Sequence, residues 1–328
     1  MKILSLFDGI SCGRLALERA GIPVKKYYAS EINKYAIQVA QKNYPDTIQV
    51  GNVTKLNYLE LLDVDMVIGG SPCQDLSIAK QNREGLRGAR SGLFWKYVET
   101  LEVIRPKWFL LENVASMRNE DRDAITATLK KIYPETECIM INSALVSAQQ
   151  RKRYYWTNWH VEQPEDKGIL LKDILESGTG CTAEHYAQKI CNTPDKANTL
   201  MARDYKGFCN QRTNGVLEPV VYQDKAHCLD ANYYKGASLE HTLTKHKRTQ
   251  VFEPVGAAMR TREDGNGKFK RLDVDYIIRK LTPVECERLQ TLPDNWTAGV
   301  SNTQRYKAIG NGWTVDVIAW IFSQLPKE

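Results

Sequence analysis

Residues 2–21 read KILSLFDGISCGRLALERAG: an apolar run, a short turn holding Gly9 and Gly13, then a helical pattern. This strand–turn–helix unit recurs. KYYASEI (26–32) precedes KYAIQVAQKNY (34–44), and TIQV (47–50) precedes NYLELLD (57–63). DMVIGG (65–70) is followed by a long loop and then GLFWKYVETLEVIR (92–105), where Phe94, Tyr97, Val98 and Leu101 mark one helix face. KWFLLENV (107–114) precedes DRDAITATLKKIY (121–133), and two more extended stretches follow, ECIMINSALV (137–146) and RYYWTNW (153–159). Strands alternating with helices predict an α/β fold with a parallel, doubly wound, Rossmann-like sheet. Ligands of such sheets bind beyond the carboxyl ends of the strands. The turns at 7–13, 69–73 and 112–114 are therefore expected on one edge.

The 328 residues leave room for one large domain and a smaller one. A net charge of +6 suits a polyanionic partner, and equally a plain cationic surface. The opening MKILSLFDG is too short an apolar stretch for a signal peptide, and no run approaches the roughly 18 apolar residues of a membrane span. A cytoplasmic protein, with no membrane partner, is expected. The eight cysteines include no C-x-x-C pair, which argues against a zinc site, and no metal is expected.

Beyond residue 160 helical periodicity fades. DKANTLMARDYKG (195–207) and DKAHCLDANYYKG (224–236) match at eight of thirteen positions, a short internal duplication in a smaller, mostly β and loop domain. Order returns after 278. Thr282, Pro283 and Glu285 form a helix-start signature, and RYKAIGNGWTVDVIAWIFSQL (305–325) carries a Gly-Asn-Gly turn into an apolar helix suited to pack on the first domain. The expected division is 1–158, 159–300 and a returning segment 301–328.

The chemistry concentrates at the strand ends. FDGISCG (7–13) sits where such folds bind nucleosides but lacks G-x-G-x-x-G, and Glu31 follows where a carboxylate accepts ribose hydroxyls. A nucleoside site without a pyrophosphate cradle suggests S-adenosylmethionine. MVIGGSPCQDLS (66–77) presents Cys73 behind rigid Pro72, and a thiolate there would be a nucleophile. Glu112 ends an apolar strand, where a raised pKa would suit proton donation, with Asn113 beside it. In SAQQRKRYYW (147–156), Gln149, Arg151 and Arg153 fall on one side of an extended segment. Each has an ordinary structural explanation alone; the ordered set does not.

The set resembles the C5-cytosine DNA methyltransferases of bacterial and phage type. FDGISCG looks like their first motif, GGSPCQDLS their Pro-Cys motif, ENV their Glu-Asn-Val motif and QQRKR their Gln-x-Arg-x-Arg motif; LTPVECERLQTLPDNW and RYKAIGNGWTV look like the two last motifs. The likeness covers 1–158 and 279–328. It implies methyl transfer from S-adenosylmethionine to C5 of a flipped cytosine in double-stranded DNA, through a covalent adduct of Cys73 with C6. Pro72, Cys73, Glu112, Asn113, Arg151 and Arg153 would then be catalytic. The cofactor would lie against Phe7, Asp8, Gly9, Ile10, Cys12, Gly13, Glu31, Ile32, Asn52, Val53, Ser71, Leu93, Asn311, Gly312 and Trp313. DNA contacts would come from Gln74, Ser77, Gln81, Arg83, Arg87, Arg90 and Gln149, and in the recognition segment from Arg203, Lys206, Lys235, Arg260 and Arg262. Residues 77–92 would be the loop that closes over the flipped base. The third turn departs from the family's usual Gly-Asp: here it is Gly51-Asn52, whose amide oxygen would take over the bond from the adenine amino group. The resemblance also implies a monomer with a role in restriction–modification or phage self-protection. A tRNA cytosine-5 methyltransferase and a catalytically dead DNA-binding homologue are the alternatives. A base deaminase is excluded by the lack of its Pro-Cys-x-x-Cys context after His160-Val161-Glu162.

Overall fold

A computed structural model of the chain describes residues 1–71, 92–176, 225–226, 228–229, 231, 250–264 and 267–326, with 250–280 as backbone. Seven strands form the main sheet: β1 (Lys2–Leu6), β2 (Lys26–Ser30), β3 (Ile48–Gln49), β4 (Met66–Gly70), β5 (Trp108–Val114), β6 (Glu137–Asn142) and β7 (Lys152–Thr157). Their order is β3-β2-β1-β4-β5-β7-β6. The strands β3 to β5 are parallel, as the alternation predicts. One correction applies: β7 is antiparallel, inserted between β5 and β6. The cause is the short link at 143–151, which can turn the chain back but cannot hold a crossover helix.

Four helices join the first strands: α1 (Cys12–Arg19), α2 (Lys34–Asn43), α3 (Gly92–Ile104) and α4 (Asn119–Ile132). The face of α3 read from the sequence is the buried one, with Phe94, Tyr97, Val98 and Leu101 all inside. Burying each such side chain contributes about 1.5–3 kcal/mol. The helical pattern at 57–63 yields only a 3-10 turn at Tyr58–Glu60: Leu61 is buried, but Leu59 and Leu62 face solvent, so the leucines do not share one buried face.

The sheet's two faces carry separate cores. One gathers Leu4, Leu6, Val67, Phe109 and Leu111 under α3 and α4. The other gathers Ile3, Ile68, Leu15 and Ala16 with residues from the far end of the sequence, among them Leu292, Trp296, Ile318, Ile321 and Phe322. That end consists of α5 (Pro283–Leu289), α6 (Asn302–Asn311) and α7 (Val315–Ser323). The signature before α5 forms a capping box: Thr282 Oγ1 accepts from Glu285 N at 3.1 Å and Glu285 Oε2 accepts from Thr282 N at 2.7 Å. Within residues 281–300, grouped by sequence with the smaller domain, Leu292 and Trp296 join the core on one face of the sheet, while Leu281, Cys286 and Leu289 cluster with Ala148, Leu171 and Ile309; Trp296 Nε1 donates to the Ile10 carbonyl at 3.1 Å.

Apart from the main sheet, β8 (Gln250–Asp264) and β9 (Gly267–Lys280) form a long antiparallel hairpin with a bulge between Pro254 and Gly256. Proline lacks the N–H for the ladder, so the irregularity falls beside it.

Candidate active site

The register of β4 and β5 places Gly70 beside Glu112. A Cβ on Gly70 would stand 2.8 Å from Glu112 Oε2 and 2.9 Å from Trp313 Nε1, so the position is open only to glycine. Glu112 is 8% exposed, a costly place for a carboxylate without partners. Both of its oxygens have one. Arg153 Nε lies 2.9 Å from Oε1, and Trp313 Nε1 donates to Oε2 at 3.3 Å. Arg153 stands opposite Val114 in the antiparallel pair, so the insertion of β7 is what brings it here. Asn113 Nδ2 donates to Ser71 Oγ at 3.2 Å, tying the ends of β4 and β5 together. Ser71 leads directly into Pro72 and Cys73. Those two, with Gln74, Ser77, Gln81, Arg83, Arg87 and Arg90, lie outside the described residues.

A cavity of about 410 Å³ opens beside this carboxylate. Phe7, Gly9, Glu31, Ile32, Asn52, Val53, Ser71, Leu93 and Asn311 line it, together with Glu112, Arg151 and Arg153. The Glu31 carboxylate is oriented by three backbone N–H groups: Gly9 N donates to Oε2 at 2.9 Å, and Ile32 N and Asn33 N donate to Oε1 at 2.7 and 2.8 Å. Ile32 beside it is 73% exposed among the described residues, an apolar side chain lining the cavity. The oxygen of Asn52 differs from expectation. It already accepts from Thr54 N and Thr54 Oγ1, both at 3.0 Å, as the cap of a 3-10 turn at Val53–Lys55. What remains for a ligand is the amide nitrogen, a donor.

The other residues named for the cofactor support the wall from behind. Asp8 is buried, and its carboxylate accepts from Tyr27 OH and Ser11 Oγ, each at 2.7 Å, fixing a turn in which Phe7 and Ser11 take left-handed backbone angles. Ile10 and Cys12 are buried, and burial pushes the Cys12 thiol up to about 12. At Gly13 a Cβ would come 2.6 Å from Ile68 Cδ1, and at Gly312 3.2 Å from Cys12 Sγ. Trp313 touches Glu112 and does not line the cavity.

Gln149, expected at the nucleic acid, is fully buried. Its Nε2 donates to the Leu289 carbonyl at 3.1 Å and its Oε1 accepts from Leu229 N at 2.9 Å, which leaves it no face toward DNA. Arg151 behaves similarly: its guanidinium donates to the carbonyls of Leu229, Gly310 and Gly312 at 3.1, 3.4 and 2.9 Å. It thereby clamps the Gly-Asn-Gly turn. Arg203, Lys206 and Lys235 lie outside the described residues; Arg260 and Arg262 sit on β8, opposite Arg271 and Phe269. The sequence reading missed Gln304, Lys307 and Ala308, which with Asn311 line the cavity from α6. Their spacing of three, one and three marks one helix face, but only the docking of α6 shows what that face covers.

A doubly wound sheet with an antiparallel seventh strand, and a nucleoside-sized cavity beside a held carboxylate, defines a methyltransferase of the Rossmann-like class. Comparison narrows the class. The family model of C-5 cytosine-specific DNA methylases matches residues 1–327, and the chain belongs to that family of DNA cytosine-5 methyltransferases. It is 28% identical to the orphan methyltransferase M.SPRI of Bacillus phage SPR, over 99% of this chain and 97% of that protein. It is 26% identical to the type II methyltransferase M.Sau3AI of Staphylococcus aureus, over 100% and 96%. In fold it resembles the methyltransferase EhMeth of Entamoeba histolytica, with a TM-score of 0.64, 16% identity and coverage of 100% and 99%, and S. pombe Dnmt2, with 0.60, 15%, 98% and 97%.

Proposed function

We propose that the chain methylates C5 of a cytosine flipped out of duplex DNA, through a covalent adduct with Cys73. The observation that carries this reading is the Glu112 carboxylate, fixed by Arg153 and Trp313 at the strand end next to Ser71, from which the chain runs into Pro72–Cys73. The cavity fits S-adenosylmethionine: an oriented carboxylate for ribose hydroxyls, apolar walls from Phe7, Ile32 and Val53, and no glycine cradle for a pyrophosphate. When bound, that cofactor supplies an electrophilic methyl group. The protein's own groups do the rest. The Cys73 thiolate adds to C6 of the base, and the displaced electron pair moves toward N3, where Glu112 shares or delivers a proton. C5 thereby becomes nucleophilic. Loss of the C5 proton after methylation, followed by expulsion of the thiolate, restores the ring and the free cysteine. A stacked base is out of reach, so the cytosine must leave the duplex.

Recognition belongs in this reading to residues between about 160 and 280, since Leu292 and Trp296 within 281–300 join the core on the sheet. In the hairpin, Arg260 stands opposite Arg271. The names of the phage and type II relatives favour a role in self-protection or restriction–modification.

The test is a pair of variants. Cys73→Ala should abolish methyl transfer while cofactor binding persists. Glu112→Gln should slow chemistry by about a hundredfold or more with little change in DNA affinity, because an amide cannot deliver the proton. DNA containing 5-fluorocytosine should accumulate a covalent adduct with the parent protein, since fluorine cannot leave as the proton does. Methylation of normal DNA without any such adduct would rule out the covalent route.

A further inference from the structure

One cluster beside the carboxylate has no part in that reaction scheme. Lys225, Ala226, Cys228 and Leu229, within the second copy of the repeat, contact the segment that carries the two arginines. Ala226 N donates to the Ala148 carbonyl at 2.6 Å, and the Ala226 carbonyl accepts from Gln150 N at 2.8 Å. Lys225 Nζ donates to the carbonyls of Ala144 and Ser147 at 3.0 and 3.2 Å and to that of Ile169. Leu229 N, next to Cys228, donates to buried Gln149 Oε1 at 2.9 Å. The Cys228 sulfur accepts from Arg151 Nη1 at 3.4 Å and from Arg153 Nη2 at 3.8 Å. Desolvation pushes this thiol up, but the two guanidinium charges and their hydrogen bonds outweigh it, so the net direction is downward.

The Arg153 fork therefore has a partner on each edge. Nη2 faces Cys228 Sγ, Nη1 donates to the Lys152 carbonyl at 2.8 Å, and Nε meets Glu112 Oε1. Without the sulfur the Nη2 edge loses this contact, and the plane of the guanidinium is held by fewer points. We infer that Cys228 is a positioning residue for methyl transfer, holding Arg153 so that its Nε edge stays on Glu112. It couples the recognition segment to the catalytic carboxylate. The matching position of the first repeat copy is Thr199, whose hydroxyl also accepts hydrogen bonds, so threonine is the conservative replacement. The inference rests on the proposed roles of Glu112 and Arg153.

The experiment uses the full chain, unmethylated bacterial genomic DNA and tritiated S-adenosylmethionine, with rates expressed per cofactor-binding site. Cys228→Ala should lower kcat about tenfold while KM for S-adenosylmethionine stays within about twofold, and Cys228→Thr should return kcat to within about threefold of the parent. Parent-like kcat in Cys228→Ala would overturn the inference. So would equal losses in the Ala and Thr variants that track falling thermal midpoints, since a merely structural role predicts that. Glu112→Gln is measured alongside. If it keeps the parent rate, the underlying catalytic reading fails and takes this one with it. If it is inactive while Cys228→Ala is unaffected, only the role of Cys228 falls.

Discussion

In the proposed reaction Cys12 and Cys73 would take opposite parts, one architectural and one nucleophilic. Cys12 was named from a motif, and the structure explains why its place in that motif is architectural: it is enclosed, and its thiol is pushed from the usual 9.0 to about 12 by burial. A folded pKa above the unfolded one means the fold keeps its proton while the unfolded chain ionises. The contribution to stability is thus complete below pH 9.0 and is lost as pH climbs toward about 12. Cys12→Ala should make the alkaline limb of the stability curve shallower, as followed by urea unfolding across that range. Native Cys12 should also escape iodoacetamide at mildly alkaline pH, as read by peptide mapping. Single residues were legible in the sequence where a carboxylate ends an apolar strand, as with Glu112, which is costly to bury, and Glu31, placed by its position at the second strand end. Gln149 was misread because period-two spacing describes an extended segment's faces without saying which one meets protein, and here the inward side is closed by Leu289 and Leu229.

Among the elements, the strand ends carry the most information and the tightest constraint. Gly70→Ala would place a methyl group 2.8 Å from Glu112 Oε2. The carboxylate or Trp313 must move, because the neighbouring strand fixes the backbone. Overpacking of this kind costs about 1–3 kcal/mol, while a misplaced catalytic group costs about a hundredfold in rate. A single-turnover assay of this variant should show that loss with a near-parental circular dichroism spectrum, and a parental rate would mean the carboxylate's placement is not critical. Strands β1 to β5 and helices α1 to α4 were readable because a strand end, a turn and an apolar helix stripe recur together in sequence. The direction of β7 was not, since alternation in a strand is the same whichever way it runs. Nor was the 3-10 turn at Tyr58–Glu60, where the neighbouring leucines do not share one buried face.

At the scale of the whole molecule, the main sheet comes from residues 2–157, and helices from the far end of the sequence cover one of its faces. Exchange of residues 160–278 for those of a relative should change which DNA sequence is methylated while Cys73 chemistry persists, as bisulfite sequencing would report. An active chimera with the original target would place recognition in the catalytic loops instead. Arg260→Ala should reduce the slope of log affinity against log salt by about 0.9 if that side chain meets one phosphate. The shared core has a further consequence during synthesis. The core of one sheet face needs Ile318, Ile321 and Phe322 against Leu15 and Ala16, and Arg19 pairs with Asp316 at 2.6 Å. Between the end of β7 and the start of α7 the ribosome must add roughly 150 residues, on the order of ten to thirty seconds at about 5–20 residues per second. For that interval one apolar face of the sheet lacks the helix that covers it, and this half of the core cannot close before α7 has emerged.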